Sequence, residues 1–428
     1  MPTGGSAGVI ATEVERVSDK IPILFEREDT FYSQVEKRQG EVVSEIAMRQ
    51  PLEIHPNGDS GGYSSDGQDM GLGDMPDYDK ATINIVELLH RMQFTEKRVF
   101  ATDSNRKAVV NAFRRDISSS MREFRRFNDS LCMTAGNGIL GTITTVVNVG
   151  GAGGTDTYTL TTDGFGARLL RMKQKINIYD PTLVTIRNVP SYAGELKISY
   201  VDGPNKTIKA TNSPNNVQPG DVIVPSGSPS WTAPPVWILG NPYHASSATT
   251  GTWLGFNRAT TPEIRANRVQ AGGALALSMA RLALNKAGDR LGSNNMKRRL
   301  TAWMHPAQAA AYEEIAQEAI MINKKPEEEN IDMYFSDNMR LAGAPVRTHY
   351  SWDKTRIDFI DLDIYGRTQF YEPQWFKDQN GNKYFMMRGA SGGIAASEII
   401  YIIAGWQLYV SNPAGISYID GLTVPSGY

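Results

Sequence analysis

Val109–Gly138 reads "VVNAFRRDISSSMREFRRFNDSLCMTAGNG", and its apolar residues recur at the spacing of an α-helix. These positions, three or four residues apart, are Val110, Phe113, Ile117, Met121, Phe124, Phe127 and Leu131. The spacing places them on one face of a helix and excludes a strand, whose faces alternate every second residue. With Asp103 or Ser104 as the N-cap and Gly136 or Gly138 as the stop, we predict one helix over about residues 103–134. Such a rod would be roughly 45 Å long.

The other side of this helix is strongly basic. Its charged residues are Arg106, Lys107, Arg114, Arg115, Arg122, Arg125 and Arg126, against Asp116 and Glu123. The whole chain, by contrast, has 44 Lys and Arg against 46 Asp and Glu, a formal net charge of −2. The basic face alone fits a surface that binds nucleic acid through phosphates, a helix on a membrane surface, or the solvated side of a structural helix.

An acidic segment precedes the helix. Residues 56–79, "PNGDSGGYSSDGQDMGLGDMPDYD", contain six glycines, six aspartates and no lysine or arginine. Such a composition cannot bury enough apolar surface to fold alone. The flanks "AMRQPLEI" and "KATINIVELLHRMQF" have strand-like stretches. We therefore predict a long two-stranded hairpin with a flexible acidic tip.

Length and composition limit the class of protein. A chain of 428 residues with 40% hydrophobic and 21% charged residues is typical of a soluble protein with two or three domains. No apolar run is long enough for a transmembrane helix, and the first residues, "MPTGGSAGVIATEVERVSDK", do not resemble a secretory signal. The single cysteine, Cys132, cannot form an internal disulfide and is expected to pack as a small hydrophobe. These features favour folding in a reducing cytoplasm.

After Gly141 the pattern changes to short strands. β-Branched runs such as "TITTVVNV", "KINIYD" and "ELKISYV" are separated by glycine, proline, asparagine and aspartate. Helical spacing returns over about 262–287, where Leu275, Met279 and Leu282 are predicted to share a face, and again from Pro306. Strands follow to the end of the sequence. The predicted class is α+β.

Motifs for catalysis or cofactor binding are weak. "GNGILG", residues 136–141, matches the glycine pattern of dinucleotide sites, but it follows a helix and precedes a strand, which is the reverse of what that site needs. The five histidines have no spacing typical of a metal pair. No G-x-S-x-G elbow is present. We predict no enzyme activity, no catalytic residue, no metal and no cofactor.

Several phrases resemble one protein family when they are taken in order. They are "ARLLRMKQKINIYD" (167–180), "VQPGDVIVP" (217–225), "GTWLGFNRATTPEIRA" (251–266), "LTAWMHPAQAAAYEEI" (300–315) and "QLYVSNPAGISYIDGLTVP" (407–425). Together with the arm, hairpin and long helix that precede them, they are similar to tailed-phage major capsid proteins of the Hong Kong 97 fold. The resemblance covers nearly the whole chain.

The resemblance implies a domain organisation. Residues 1–47 would be the N-terminal arm, 48–98 the E-loop hairpin with its flanks, and 99–142 the spine helix of the P-domain. Residues 143–345 would form the A-domain with a β-rich insert. Residues 346–428 would supply strands that return to both domains.

The resemblance also implies a function. Pentamers and hexamers of the chain would form an icosahedral virion shell around double-stranded DNA, assembled in the host cytoplasm without a membrane. Scaffold, portal and decoration proteins would be further partners. Other interpretations are a tail or baseplate subunit, a β-rich hydrolase and a nucleic-acid-binding protein.

Within a shell, the basic face has a natural partner of opposite charge. We expect it to contact the acidic segment of a neighbouring subunit, or DNA if it faces inward. The residues of this hypothesis are Arg114, Arg115, Arg122, Arg125 and Arg126 on the helix, and Asp59, Asp66, Asp69, Asp74, Asp77 and Asp79 in the segment.

Overall fold

The computed structural model describes residues 30–38, 41–42, 47–55, 75, 77–95, 106–147, 154–160, 165–187, 196–214, 216–226, 237–292, 299–323, 339–377, 379, 381, 384–388 and 394–426. The helices in this part of the chain are α1 (Thr30–Gln34), α2 (Arg106–Cys132), α3 (Asn241–His244), α4 (Leu277–Leu291) and α5 (Pro306–Asn323). The described strands from the N-terminal side to the middle of the chain are β1 (Glu36–Arg38), β2 (Glu41–Val42), β3 (Ala47–His55), β4 (Asp77–Asn84), β5 (Val86–Thr95), β6 (Gly141–Val147), β7 (Thr155–Leu160), β8 (Ile176–Tyr179), β9 (Lys197–Asp202), β10 (Thr207–Thr211) and β11 (Val222–Pro225). Those that follow are β12 (Thr252–Trp253), β13 (Phe256–Asn257), β14 (Asn267–Gly273), β15 (Leu300–Met304), β16 (Arg340–Leu341), β17 (Ala344–Thr348), β18 (Ile357–Asp361), β19 (Tyr365–Trp375), β20 (Tyr384–Arg388), β21 (Ile394–Val410) and β22 (Ser417–Leu422).

The longest strand, β21, organises the sheet that carries α2. It pairs antiparallel with β5, β19 and β20, and β1 adds parallel to β19. Every second residue of β21 is buried, from Ile400 to Leu408, in one core cluster with Phe124 and Leu131 of α2. The apolar stripe of the helix therefore packs against one face of a long antiparallel sheet.

α2 confirms the long helix and shortens it slightly. It starts at Arg106 and ends at Cys132, so the predicted N-caps at Asp103 and Ser104 lie outside the described residues. Gly136 and Gly138 follow the helix with φ of +88° and +70°, a backbone region that side chains disfavour. The glycine-rich string 136–141 thus joins α2 to β6, which is the helix-to-strand order predicted from the sequence.

The strand-rich middle of the chain forms an antiparallel sheet with its own core. Its order is β8-β11-β6-β7-β10-β9. The cluster beneath it includes Ile143, Tyr158, Ile178, Ile208 and Ile223, all buried. The β-branched runs identified in the sequence account for most of these strands.

A further mixed sheet has the order β14-β22-β18-β15-β17-β16, with α4 and α5 nearby. α5 confirms the helix predicted from Pro306. The helix predicted over 262–287 was wrong in its first half, because Asn267–Gly273 is strand β14, paired parallel with β22. Burial alternates along β14 because it pairs in the sheet, and that period of two outweighs the helical spacing. Leu282 is 47% exposed and does not share the buried position of Leu275.

Candidate functional site

The long hairpin β3–β4 is fixed at its base. Ala47 pairs with Asn84 at one end and His55 with Asp77 at the other. On β4, Ala81 and Ile83 are fully buried against Trp253 and Phe256 of the small β12–β13 hairpin. The amide of Thr82 also donates to the carbonyl of Leu254 at 3.1 Å. These contacts hold the base of the hairpin on the body of the chain.

The far half of the hairpin is exposed. Tyr78 is 63% exposed, and Asp79 and Lys80 are also open to solvent. Register places Asp79 opposite Leu52, two residues beyond the buried Ala81 on the same side of the ribbon. The side that is apolar at the base therefore becomes acidic towards the tip. A two-stranded ribbon without a covering layer is only marginally stable in water, so this end suits a contact with another molecule.

The arginines of α2 divide between solvent and core. Arg122 and Arg125 are exposed, whereas Arg126 is only 3% exposed. Arg126 pairs with Glu123 at 3.2 Å and donates to the hydroxyl of Ser130. An arginine enclosed in this way acts within its own helix and is not available to a partner.

The remaining residues of the charge hypothesis are only partly described. Arg114 and Arg115 belong to α2, but their side chains lie outside the described part of the structure. Asp77 and Asp79 lie on β4. Asp59, Asp66, Asp69 and Asp74 lie outside the described residues. Contact between the arginines and the acidic segment therefore remains a prediction.

A buried network at the end of α2 joins three distant parts of the chain. Asp129 accepts the backbone N–H of Tyr32 in α1 through one carboxylate oxygen, at 2.7 Å. Its other oxygen lies 2.7 Å from Nε2 of His349, and both side chains are enclosed. Nδ1 of His349 accepts the N–H of Ser351, so the neutral ring carries its proton on Nε2 and donates it to Asp129. One carboxylate thus holds α1, α2 and the 349–356 loop together.

α1 inserts an aromatic side chain into the core. Phe31 is fully buried, with its ring 5.3 Å from Trp303, 5.6 Å from Trp352 and 6.0 Å from Tyr365 in edge-on contacts. Beside it, Arg367 lies over the ring of Tyr32 at 4.3 Å. Residues 30–38 are consequently an integral part of the folded body.

Sequence reasoning missed this network. The pairing of Asp129 with His349 spans 220 positions, and the run "NDS" that begins at Asn128 is polar, which gave no sign of burial. Cys132 was easier to predict because its neighbours are apolar. It is buried as expected, and burial raises the pKa of its thiol well above the usual value.

A cleft of about 680 Å³ lies next to the end of α2. It separates the β6–β11 sheet from the 349–356 loop, with Phe165 and Trp352 among its lining residues. At its edge Arg356 pairs with the buried Asp358 at 2.7 Å and stacks over Tyr418 at 4.0 Å. Within the described residues, no group of three or more His, Cys, Asp or Glu side chains is arranged to hold a metal ion.

A helix that crosses a bilayer needs about 20 mostly apolar residues. None of the helices in the described ranges is both long and apolar enough to span one.

No family model and no curated protein sequence matches the chain. Solved structures do match it. The chain in the cyanophage A-1(L) capsid asymmetric unit superposes over 97% of this chain and 99% of its own, with 12% identity and a TM-score of 0.55. The capsid of the native GTA particle matches over 98% and 100%, with 10% identity and a TM-score of 0.47.

An encapsulin complex from Synechococcus elongatus matches over 98% of this chain and 97% of that one, with 10% identity and a TM-score of 0.43. The last two scores are too low to carry an argument. At this identity the match to the cyanophage chain establishes the fold: the α+β arrangement of this protein is that of a phage capsid chain.

Proposed function

We propose, from the premise that the chain has the fold of a phage capsid protein, that it is the major capsid protein of a tailed bacteriophage. Many copies would assemble as pentamers and hexamers into an icosahedral shell around double-stranded DNA. The observation that carries this proposal is the match to the cyanophage chain over 97% of this chain and 99% of the other. A match of that extent leaves no large part of either chain unaccounted for.

In this proposal the elements take the roles expected from the Hong Kong 97 fold. β3–β4 is the E-loop hairpin within 48–98, and α2 is the spine helix within 99–142. The β6–β11 sheet is the insert of the A-domain, and β14–β18 with α4 and α5 supply the rest of 143–345. β19–β22, within 346–428, complete both domains.

The exposed hairpin supports self-assembly on physical grounds. Ring-forming contacts join two different surfaces of the subunit, so each copy must offer both a projecting and a receiving patch. The far half of β3–β4, with Tyr78 and Asp79 exposed, is a projecting patch whose base is already fixed by Ala81 and Ile83. Lying on a neighbour would cover the side that its own subunit leaves open.

Charge would then help to select the contact. The exposed Arg122 and Arg125 would face acidic residues of the neighbouring 56–79 segment, and Arg126 is excluded from this role by its burial. Exposed ion pairs contribute only about 0–1 kcal/mol each. Repeated at every contact of a shell, they would make assembly dependent on salt.

Packaged DNA, a scaffold, a portal and decoration proteins complete the proposed set of partners. The site of assembly would be the host cytoplasm, and the final location the virion shell.

Negative-stain electron microscopy of the purified protein at low and high salt tests this function. We expect closed shells, or rings of five and six subunits, with fewer of them at high salt. Compact monomers under all conditions, also when the chain is co-expressed with the neighbouring phage genes, would contradict the proposal.

A further inference from the structure

Three cationic side chains from separate parts of the chain meet beside the cleft. Arg168 follows the cleft residues Phe165 and Gly166, and Lys206 ends the turn between β9 and β10. Lys354 lies between the cleft residues Asp353 and Thr355. All three cations are half-buried, so each has a fixed stem and an accessible head.

Hydrogen bonds and close packing fix the relative positions of the three cations. Arg168 donates from Nη1 to the carbonyl of Tyr350 at 2.8 Å, which ties it to the loop that carries Lys354. Lys206 lies so close to Gly166 that a Cβ on that glycine would stand 3.3 Å from its Cγ. The carbonyl of Lys354 accepts from Gln308 at 2.7 Å. The cluster is therefore held by the β6–β11 sheet on one side and by α5 on the other.

The three positive charges act on one another. Burial, followed by the charges of Arg168 and Lys206, lowers the pKa of Lys354 from its usual value. Burial, with Arg168 and Lys354 next in importance, lowers the pKa of His305 to about 3. Crowding of like charges is unfavourable, and an anion between them would relieve it.

His305 adds a neutral donor. Its Nδ1 accepts the backbone N–H of Ala307 at 3.0 Å, so the neutral ring carries its proton on Nε2. Its ring meets that of Tyr350 edge-on at 6.2 Å, next to the carbonyl that binds Arg168.

The two carboxylates of the cleft are engaged with their own neighbours. Asp353 accepts the amide and hydroxyl of Thr355, both at 2.8 Å. Asp358 accepts from Arg356 and from the indole of Trp352. Their hydrogen bonds direct them to these neighbours, while the cations stand at the rim.

We infer that Arg168, Lys206 and Lys354 form a binding site for a phosphate ester, with the adjoining cleft receiving the group that the phosphate carries. Arginine and lysine are the side chains that bind phosphate most effectively, by paired hydrogen bonds and by point charge respectively. A cleft of about 680 Å³ is in the range that holds a nucleotide-sized ligand. The phosphate could belong to a free nucleotide or to a nucleic-acid backbone, and the site does not depend on shell assembly.

Isothermal titration calorimetry of the full chain tests the inference with three probes: inorganic pyrophosphate, a deoxynucleoside triphosphate and a short single-stranded oligonucleotide. The test variant is Lys206→Gln with Lys354→Gln, which removes two charges and leaves Arg168 to hold the Tyr350 loop. The matched control is Lys197→Gln with Lys209→Gln, two exposed lysines on β9 and β10 of the same sheet. Thermal melts check that both variants are folded.

We expect the test variant to bind at least about tenfold more weakly and the control to bind like the original chain. For the oligonucleotide, the dependence of log affinity on log salt should fall by about 0.7 for each phosphate that the variant no longer neutralises. Tighter binding of the triphosphate than of the oligonucleotide would identify a nucleotide site, and the reverse a backbone site.

Equal affinity of test variant and original chain would overturn the inference, as would failure of all three probes to bind. Binding of an aspartate-rich peptide, with no binding of the phosphate probes, would overturn it in favour of a protein partner. None of these results bears on whether the chain forms shells, which microscopy measures separately.

Discussion

Asp129 is the residue on which the N-terminal part of the fold depends. Its two oxygens serve Tyr32 and His349, and it is 1% exposed. Hydrogen bonds to a charged group contribute more than neutral ones, about 1.5–3 kcal/mol, and a buried donor left without an acceptor adds a desolvation cost. Removing this carboxylate should therefore loosen α1 and the 349–356 loop together.

We predict that Asp129→Asn lowers the free energy of unfolding by about 1.5–3 kcal/mol, because the amide turns a donor towards one of its two donor partners. Urea denaturation of the purified chain measures the change. Asp289→Asn, at an exposed position of α4, is the matched control and should have little effect. A decrease no larger than that of the control would show that the network does not stabilise the fold.

His244 makes stability depend on pH. It is fully enclosed and accepts the indole N–H of Trp253 at 3.0 Å, and burial, the largest cause, lowers its pKa to about 3. An unfolded histidine titrates near 6.5, so between about pH 6.5 and 3 the unfolded chain binds the extra proton. This contribution to stability is complete above that window and is lost as the pH falls through it.

The expected slope is about 1.4 kcal/mol per pH unit for one such histidine. His244→Asn keeps an acceptor for Trp253 but cannot be protonated, so its unfolding free energy should fall less steeply with acid. Denaturant unfolding at several values between pH 6.5 and 4 measures both slopes. Parallel slopes for the two proteins would exclude the histidine as the cause.

Single residues were predictable from sequence only where their neighbours determined their surroundings. Cys132, among apolar neighbours, was correctly expected to be buried. Arg126 was placed with the exposed arginines, yet it turns inward to Glu123 and Ser130. The stripe sets the average direction of a helix face, but a residue at its border is placed by tertiary contacts that have no local pattern.

At the scale of elements, α2 carries the prediction that connects charge to assembly. We predict that Arg122→Glu with Arg125→Glu raises the protein concentration needed for shells by at least about tenfold, because two attractive contacts become repulsive at every repeat. The subunit should remain folded, since both side chains are exposed. Light scattering against protein concentration measures assembly, and circular dichroism the fold.

Arg281→Glu, at an exposed position of α4, is the control for charge reversal on a helix. Adding Asp77→Lys and Asp79→Lys to the α2 variant should restore part of the assembly if β4 supplies the partner charges. Normal assembly of the double glutamate variant would end the charge-pairing hypothesis. A lack of rescue would assign the partner charges elsewhere.

Elements with strong periodicity were predicted best. α2, α5 and the hairpin β3–β4 all follow from local patterns. β14 did not, because Asn267–Gly273 becomes a strand through parallel pairing with β22, about 150 residues later in the chain. No window of sequence contains that partner, so the neighbouring helical spacing prevailed in the prediction.

At the scale of the molecule, the order of elements carried more information than any motif. Short phrases spread over residues 167–425 indicated a capsid fold, and the match to the cyanophage chain confirms the fold at 12% identity. Identity that low means that packing requirements, and few particular residues, maintain the architecture. The phosphate site next to the cleft was not foreseen because its three cations come from three separate loops.

Cryo-electron microscopy of assembled particles, reconstructed without imposed symmetry, tests the central claim most directly. The account predicts a closed shell in which this fold forms five-fold and six-fold rings, with β3–β4 of each subunit lying on a neighbour. An open tube, a single isolated ring or a shell in which β3–β4 contacts only its own subunit would contradict it.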